Sequence, residues 1–228
     1  MAAHQKIREG PVQAQRNNDS KHVLDDVAGE VNGIGTHGRG PIHALHNKAH
    51  NAKGVAFFEM GRLDQAIESF NASIAVDSTS YKPFFNRGNA YLEKKEFNKA
   101  IIDYNYANGL DPGQEDIFYN RGLALLNLEA YADAVFDFGM ALQINPNQPE
   151  VYFNMAKAQL GNNEPVAAMT SLTNTIALDK RNAAAYYLLG ITELSTQNKR
   201  DTGCSNLEMA LSLGYTEAKT WIDRLCTN

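Results

Sequence analysis

Tyr81-Lys-Pro-Phe-Phe-Asn-Arg-Gly-Asn-Ala90 is followed 34 residues later by Glu115-Asp-Ile-Phe-Tyr-Asn-Arg-Gly-Leu-Ala124. Phe84, Asn86, Arg87, Gly88 and Ala90 return as Phe118, Asn120, Arg121, Gly122 and Ala124. The stretches that follow agree as well. Ala100, Asp103, Ala107, Leu110 and Pro112 return as Ala134, Asp137, Ala141, Ile144 and Pro146. A fixed period of this length marks a series of stacked supersecondary units. In such a chain, function usually lies in the surface the units present together.

Working outward, the register continues in both directions. The eighth position of each unit reads Gly54, Gly88, Gly122, Ala156 and Gly190. Position 20 reads Ala66, Ala100, Ala134, Ala168 and Thr202, and position 24 reads Phe70, Tyr104, Phe138, Leu172 and Asn206. Small residues at positions 8 and 20 let two helices approach closely, and large apolar residues at 4, 11 and 24 fill the surrounding space. Within the second unit, Phe84, Gly88, Tyr91 and Leu92 mark one helical face, and Ala100, Ile101, Tyr104 and Ala107 mark another. Asp111-Pro112 and Asn145-Pro146 end the second helix, because proline cannot extend it. Each unit is predicted to be a helical hairpin. The fifth has lost its position-20 alanine and position-24 aromatic, as expected of an end unit.

These residues resemble the tetratricopeptide repeat (TPR) family over roughly residues 47–214. The resemblance implies an all-α, right-handed α-solenoid of about five hairpins, with a concave groove lined by the first helices. The repeat region is expected over 42–214, with units near 47–80, 81–114, 115–148, 149–182 and 183–214. Residues 1–41 do not repeat and are expected to form an irregular leader with a possible short helix through Val23, Leu24, Val27 and Val31, then a glycine-rich loop from Gly33 to Gly40. Residues 215–228 are expected to form a capping helix through Trp221, Ile222 and Leu225, with Gly214 closing the previous helix and Thr216 as its N-cap. The stretch from Gly203 to Cys226 is also similar to the C-terminal ends of exported repeat proteins of Bacteroidetes-type bacteria.

The bulk numbers exclude several classes. The chain has 228 residues and a net charge of −5, which argues against a nucleic-acid surface built of clustered Lys and Arg. No run of 18 apolar residues is present, so no membrane span is expected. The first residues lack the apolar core of a signal peptide. Two cysteines are too few for a disulfide scaffold or a four-thiolate zinc site.

The cysteines carry a geometric argument of their own. Cys204 lies ten residues before Gly214 and Cys226 twelve after it. In an antiparallel helix pair turning at Gly214, both lie roughly 15–18 Å from the turn. A disulfide between them would staple the capping helix and indicate an oxidising compartment; the alternative is two buried thiols. The pairing favours export, to periplasm or cell surface with a signal removed, over the cytoplasm.

Arg87 and Arg121 at position 7 occur with Asp103 and Asp137 at position 23, and units without the arginine carry Ser69, Ser171 and Ser205 there. That pattern predicts a structural Arg–Asp bridge between the two helices of a unit. Position 6 reads Asn86, Asn120 and Asn154, and position 5 reads Phe85, Tyr119, Phe153 and Tyr187. The resemblance places both in the groove, where a carboxamide offers a donor and an acceptor to an extended peptide and the rings offer flat contact area. Asn89 and Lys157 extend the candidate set. The family's clamp for C-terminal carboxylates wants lysine at position 5, where this chain has Phe85; a chaperone-tail binder is not expected.

His43, His46 and His50 share a helical face, with His37 nearby. They form a weak candidate metal site, since no cysteine or clustered carboxylate joins them. Gly33-Ile-Gly-Thr-His-Gly38 matches a dinucleotide fingerprint only literally, because the required strand is missing. No nucleophile–base pair or paired carboxylates emerge. The sequence therefore predicts a non-enzymatic scaffold, without cofactor, that binds a peptide or partner protein in its groove. The alternative is a structural subunit of a larger assembly, periplasmic or at the cell surface, docked through the leader or the convex face.

Overall fold

The computed structural model describes residues 39–196 and 200–227, with side chains described from residue 45. Residues 1–38, including the leader helix expected after Ser20 and the Gly33–Gly38 motif, lie outside the described residues. Among the described residues there are eleven helices and no strands. They fall into two compact units, Met1–Pro112 and Gly113–Asn228.

The first unit holds two hairpins: α1 (Arg39–Glu59) with α2 (Leu63–Val76), and α3 (Tyr81–Glu93) with α4 (Phe97–Leu110). Helix α1 starts ahead of Pro41, so the last three leader positions belong to it. Proline is tolerated there because the first turn has no use for its missing N–H. The second unit holds α5 (Glu115–Asn127) with α6 (Tyr131–Ile144), α7 (Pro149–Gly161) with α8 (Pro165–Leu178), and α9 (Ala183–Thr196) with α10 (Arg200–Ser212). Helix α11 (Ala218–Leu225) packs on α10.

Each of the first three hairpins is closed by a glycine facing a ring. A Cβ on Gly88 would lie 2.7 Å from Tyr104 Cε1, and one on Gly122 would lie 2.8 Å from Phe138 Cε1. Gly54 meets Phe70 in the same way. Phe70, Tyr104 and Phe138 are fully buried. So are Ala66, Ala100, Ala134 and Ala168, which line the same seam. Ile117 and Val151, at position 3, are also fully buried. The sequence reading did not assign that position to the core.

The fifth hairpin differs from expectation. Gly190 faces Leu207, seventeen residues on instead of sixteen, and its backbone neighbour is Gly203. Gly203, Leu207 and Ala210 are buried while Thr202 is exposed. The core positions are thus not lost but displaced by one residue. Helix α9 has 14 described residues where α3, α5 and α7 have 13.

The turn inside a hairpin is a Schellman motif. Glu96 N donates to Tyr91 O at 2.8 Å and Lys95 N to Leu92 O at 2.9 Å, satisfying carbonyls the helix end leaves open. The same pair of bonds recurs around Gly61, Glu129, Asn163 and Gly214. Each central residue is left-handed, with φ of 73°, 61°, 60°, 59° and 95° at Gly61, Lys95, Glu129, Asn163 and Gly214. Between hairpins, the C-cap residues Asp77, Asp111, Asn145 and Asp179 leave helical geometry. Asp77 and Asp179 accept the backbone N–H two residues on, each at 2.9 Å. Asp or Asn is therefore the common stop, and proline follows it at only two of the four. Thr216 makes no side-chain cap on α11.

Polar ties cross each hairpin. Arg87 grips Asp103 through Nε and Nη2 at 2.8 and 2.7 Å, and Arg121 grips Asp137 through the same atoms at 2.7 Å each. Both aspartates are buried, and these bonds push the two guanidinium pKa values further up. The fourth hairpin substitutes Ser171 Oγ donating to Gln159 Oε1 at 2.8 Å, and the fifth Asn206 Nδ2 donating to Glu193 Oε2 at 2.8 Å.

Two substitutions test this account in urea titrations followed by far-UV circular dichroism. Gly122→Ala should destabilise by about 1–3 kcal/mol, because its methyl group lands on the Phe138 ring. Glu129→Gly should stabilise by about 0.5–1 kcal/mol, since relief of the left-handed strain exceeds the entropy glycine adds to the unfolded chain.

Candidate partner-binding face

Positions 5 and 6 sit on the first helix of each hairpin, and within each unit they tie one first helix to the next. In the first unit, Asn86 Nδ2 donates to Asn51 Oδ1 at 3.0 Å. In the second, Asn154 Nδ2 donates to Tyr119 Oη at 3.2 Å. Trp221 Nε1 on α11 donates to Tyr187 Oη at 3.0 Å. Each donor stands three residues after a buried one, Pro83, Val151 or Ala218. Helix α11 therefore enters in the phase of a further first helix, with tryptophan in place of asparagine.

The asparagines expected in the groove also bond across consecutive repeats. Asn86 and Asn154 are half-buried between consecutive first helices, and each uses one N–H as an inter-repeat tie. A carboxamide has two donors and an acceptor oxygen, so part of its capacity is committed to the fold. Asn120 holds the same position on α5 and is half-buried. Asn89 is drawn inward, accepting from Tyr104 Oη at 2.8 Å. Burial keeps the Tyr104 phenol neutral by pushing its pKa up, with Asp103 and Glu93 adding to the shift.

The position-5 rings remain half-buried. Phe85 packs tilted on Tyr104 at 6.0 Å between centroids, and Tyr119 tilted on Phe138 at 6.1 Å. Phe153 lies beneath the exposed Lys157, with Nζ 5.9 Å from the ring centre. Tyr187 stacks on Tyr215 at 4.6 Å. Burial raises the Tyr119 pKa most, Glu150 adds to it, and the bond from Asn154 opposes it. In the second unit Asp116, Glu150 and Lys157 are exposed. The helices carrying this face therefore present aromatic area among charges of both signs.

Family models described as a TPR repeat and a tetratricopeptide repeat match residues 54–95, 81–114 and 115–148. The chain carries tetratricopeptide repeats. Comparison with curated proteins gives no match. Solved structures share the TPR fold. YrrB, described as a TPR protein with an unusual peptide-binding site, has 20% identity and a TM-score of 0.67 over 73% of this chain and 85% of its own. MamA from Desulfovibrio magneticus RS-1 has 15% identity and a TM-score of 0.71, covering 75% of this chain and 96% of its own. PilF of Pseudomonas aeruginosa has 23% identity and a TM-score of 0.67, covering 92% of this chain and 99% of its own.

The remaining sequence candidates lie at the edges of the TPR array. His46 and His50 are half-buried on α1, while His37 and the side chain of His43 lie outside the described residues. Burial lowers the His50 pKa, with His46 and Lys53 adding to the effect. Among the described residues, no group of three His, Cys, Asp or Glu side chains is placed to hold a metal ion. No described helix is long and apolar enough to cross a membrane.

Cys204 of α10 and Cys226, just past α11, form a disulfide with Cα atoms 5.7 Å apart. It adds to the packing of Ala218 and Ile222 on Leu207 and Ala210. Trp221 is the single tryptophan of the chain, so its emission reports this junction directly. Reduction should shift that emission to longer wavelength. It should also cost the second unit about 3 kcal/mol, as loop-closure entropy returns to the unfolded chain. Emission and urea unfolding with and without a dithiol reductant measure both.

Proposed function

We propose that the chain is a non-enzymatic interaction scaffold whose second unit binds a peptide segment or partner protein on the exposed face of α5, α7 and α9. The observation that carries this reading is the row of half-buried aromatics at one-repeat spacing, Tyr119, Phe153 and Tyr187, with Asn120, Asn154 and Lys157 beside them. Flat rings with polar neighbours give large contact area at low entropic cost. The inter-repeat ties of Asn154 and Trp221 hold that row in place before a ligand arrives, which reduces the ordering cost of binding. Tetratricopeptide repeats generally serve protein interaction, and YrrB, of similar fold, is described with a peptide-binding site. In the first unit Phe85 and Asn86 offer the same chemistry.

A second reading has its own support. The second helices expose large apolar side chains: Ile102 and Tyr106 on α4 at 54% and 60%, Phe136 on α6 at 64%, and Val166 on α8 at 63%. Docking through these outer faces would make the protein a structural subunit of a larger assembly.

Photo-crosslinking in the native source separates the two. A benzoylphenylalanine at position 153 should capture a protein partner, and one at position 136 should not. Capture from 136 alone would favour the subunit reading. Capture from neither, with the variants folded, would remove both.

A further inference from the structure

Of the three hairpins that lack the Arg–Asp bridge, the first and the fourth each contain a cavity in its place. In the first hairpin, about 310 Å³ is lined by residues that include His50, Lys53, Phe57, Glu68 and Ser69. In the fourth, about 480 Å³ is lined by residues that include Tyr152, Met155, Gln159, Thr170 and Ser171. These are the same repeat positions: 4, 7, 11, 22 and 23. The second hairpin shows what normally fills the space. Arg87 grips Asp103 and donates from Nη1 to Asn71 Oδ1 at 2.6 Å, while Tyr106 stacks on Phe84 at 5.6 Å. In the fourth hairpin the residues at the positions of Arg87, Asp103, Asn71 and Tyr106 are Met155, Ser171, Gly139 and Asn174. All four side chains are shorter or unbranched by comparison, and a Cβ added at Gly139 would meet nothing within 4 Å. The space is a solvent-open depression, and its sequence cause is these four replacements.

We infer that the cavity between α6, α7 and α8 is a socket for an uncharged carboxamide side chain, glutamine or asparagine, of a partner protein. The lining contains no Asp, Glu, Lys, Arg or His. A charged group entering it would find no counter-charge in the wall. The hydrogen-bonding groups of the wall are Gln143, Gln159, Asn174 and the hydroxyls of Tyr152, Thr170 and Ser171. Ser171 Oγ donates to Gln159 Oε1, so the Nε2 end of Gln159 is left as the donor toward a ligand. Leu142, Met155 and Ala167 add apolar lining. A planar group with donors at one end and an acceptor at the other, and no net charge, meets this set. It is the neutral counterpart of the guanidinium that fills the second and third hairpins. The first hairpin's cavity differs in chemistry, because Lys53, Glu68 and His50 make it charged. The socket uses Tyr152, Met155 and Gln159 of α7, a different stripe from Phe153 and Lys157, so it is distinct from the aromatic face.

The oxidised full chain, labelled with nitrogen-15, is titrated with N-acetyl-glutamine amide, N-acetyl-arginine amide and N-acetyl-leucine amide. Saturable shifts centred on Gly139, Gln159 and Ser171 are expected with the glutamine probe, and weaker binding with the arginine probe, whose charge finds no counter-charge in the lining. The double variant Met155→Arg with Ser171→Asp rebuilds the ion pair and should abolish the glutamine shifts while helicity is kept. Gly139→Leu fills the cavity from its opposite wall and decides the matter if the double variant does not fold. The inference fails if the arginine or leucine probe binds as well as glutamine. It fails equally if glutamine does not saturate, or if its shifts survive closure of the cavity.

Discussion

The approach of the first helix to the second at position 8 is the constraint on which the rest depends. A glycine there lets a ring sixteen residues later lie directly against backbone, as Gly88 does with Tyr104 and Gly122 with Phe138. The distance between the helices follows from that contact. So does the placement of its neighbours in sequence. Position 7, next to the glycine, faces position 23, next to the ring, and the Arg–Asp fork forms there. Positions 5 and 6 turn the other way, toward neighbouring first helices. One contact thereby sorts the first helix into a stripe that closes the hairpin and a stripe that faces neighbours and partners.

The polar ties then differentiate units that share this frame. A buried ion pair is a poor source of net stability, since desolvation offsets much of its attraction, but losing one partner is costly. That asymmetry suits a residue pair that fixes register. The second and third hairpins keep it, and the fourth and fifth replace it by neutral or single-charge ties, Ser171–Gln159 and Asn206–Glu193. The replacements preserve hydrogen bonding but not volume. In the fourth hairpin the missing volume appears as a cavity, so the same exchange that relaxes the electrostatics creates a place for another molecule.

Much of the fold was legible in the residues because its determinants are local and periodic. Glycine at 8, alanine at 20 and a ring at 24 repeat at a fixed interval, and the hairpin follows from them. The displacement in the fifth hairpin was not legible from that interval, since one added residue between Gly190 and Leu207 breaks the count. Its signal was present in Gly203, Asn206, Leu207 and Ala210, which reproduce the core spacing one place late. The helix stops were read from Pro112 and Pro146, yet Asp77 and Asp179 stop their helices without proline. Of the candidate site, the residues at positions 5 and 6 were visible, but their mutual bonds were not. Those bonds join side chains 34 or 35 residues apart, and a single unit viewed alone gives no sign of them.

The Cys204–Cys226 bond also determines how the second unit would bear load. Tension applied at Thr227 enters the chain beside Cys226 and passes through sulfur to Cys204 in the body of α10. The covalent shortcut bypasses α11 and the turn at Gly214 altogether. The shortest of the described helices, eight residues long, is thereby mechanically shielded while the bridge is intact. Extension from that end must begin by peeling α10 from α9, where Gly190 and Leu207 are packed, and not by fraying the segment nearest the pull.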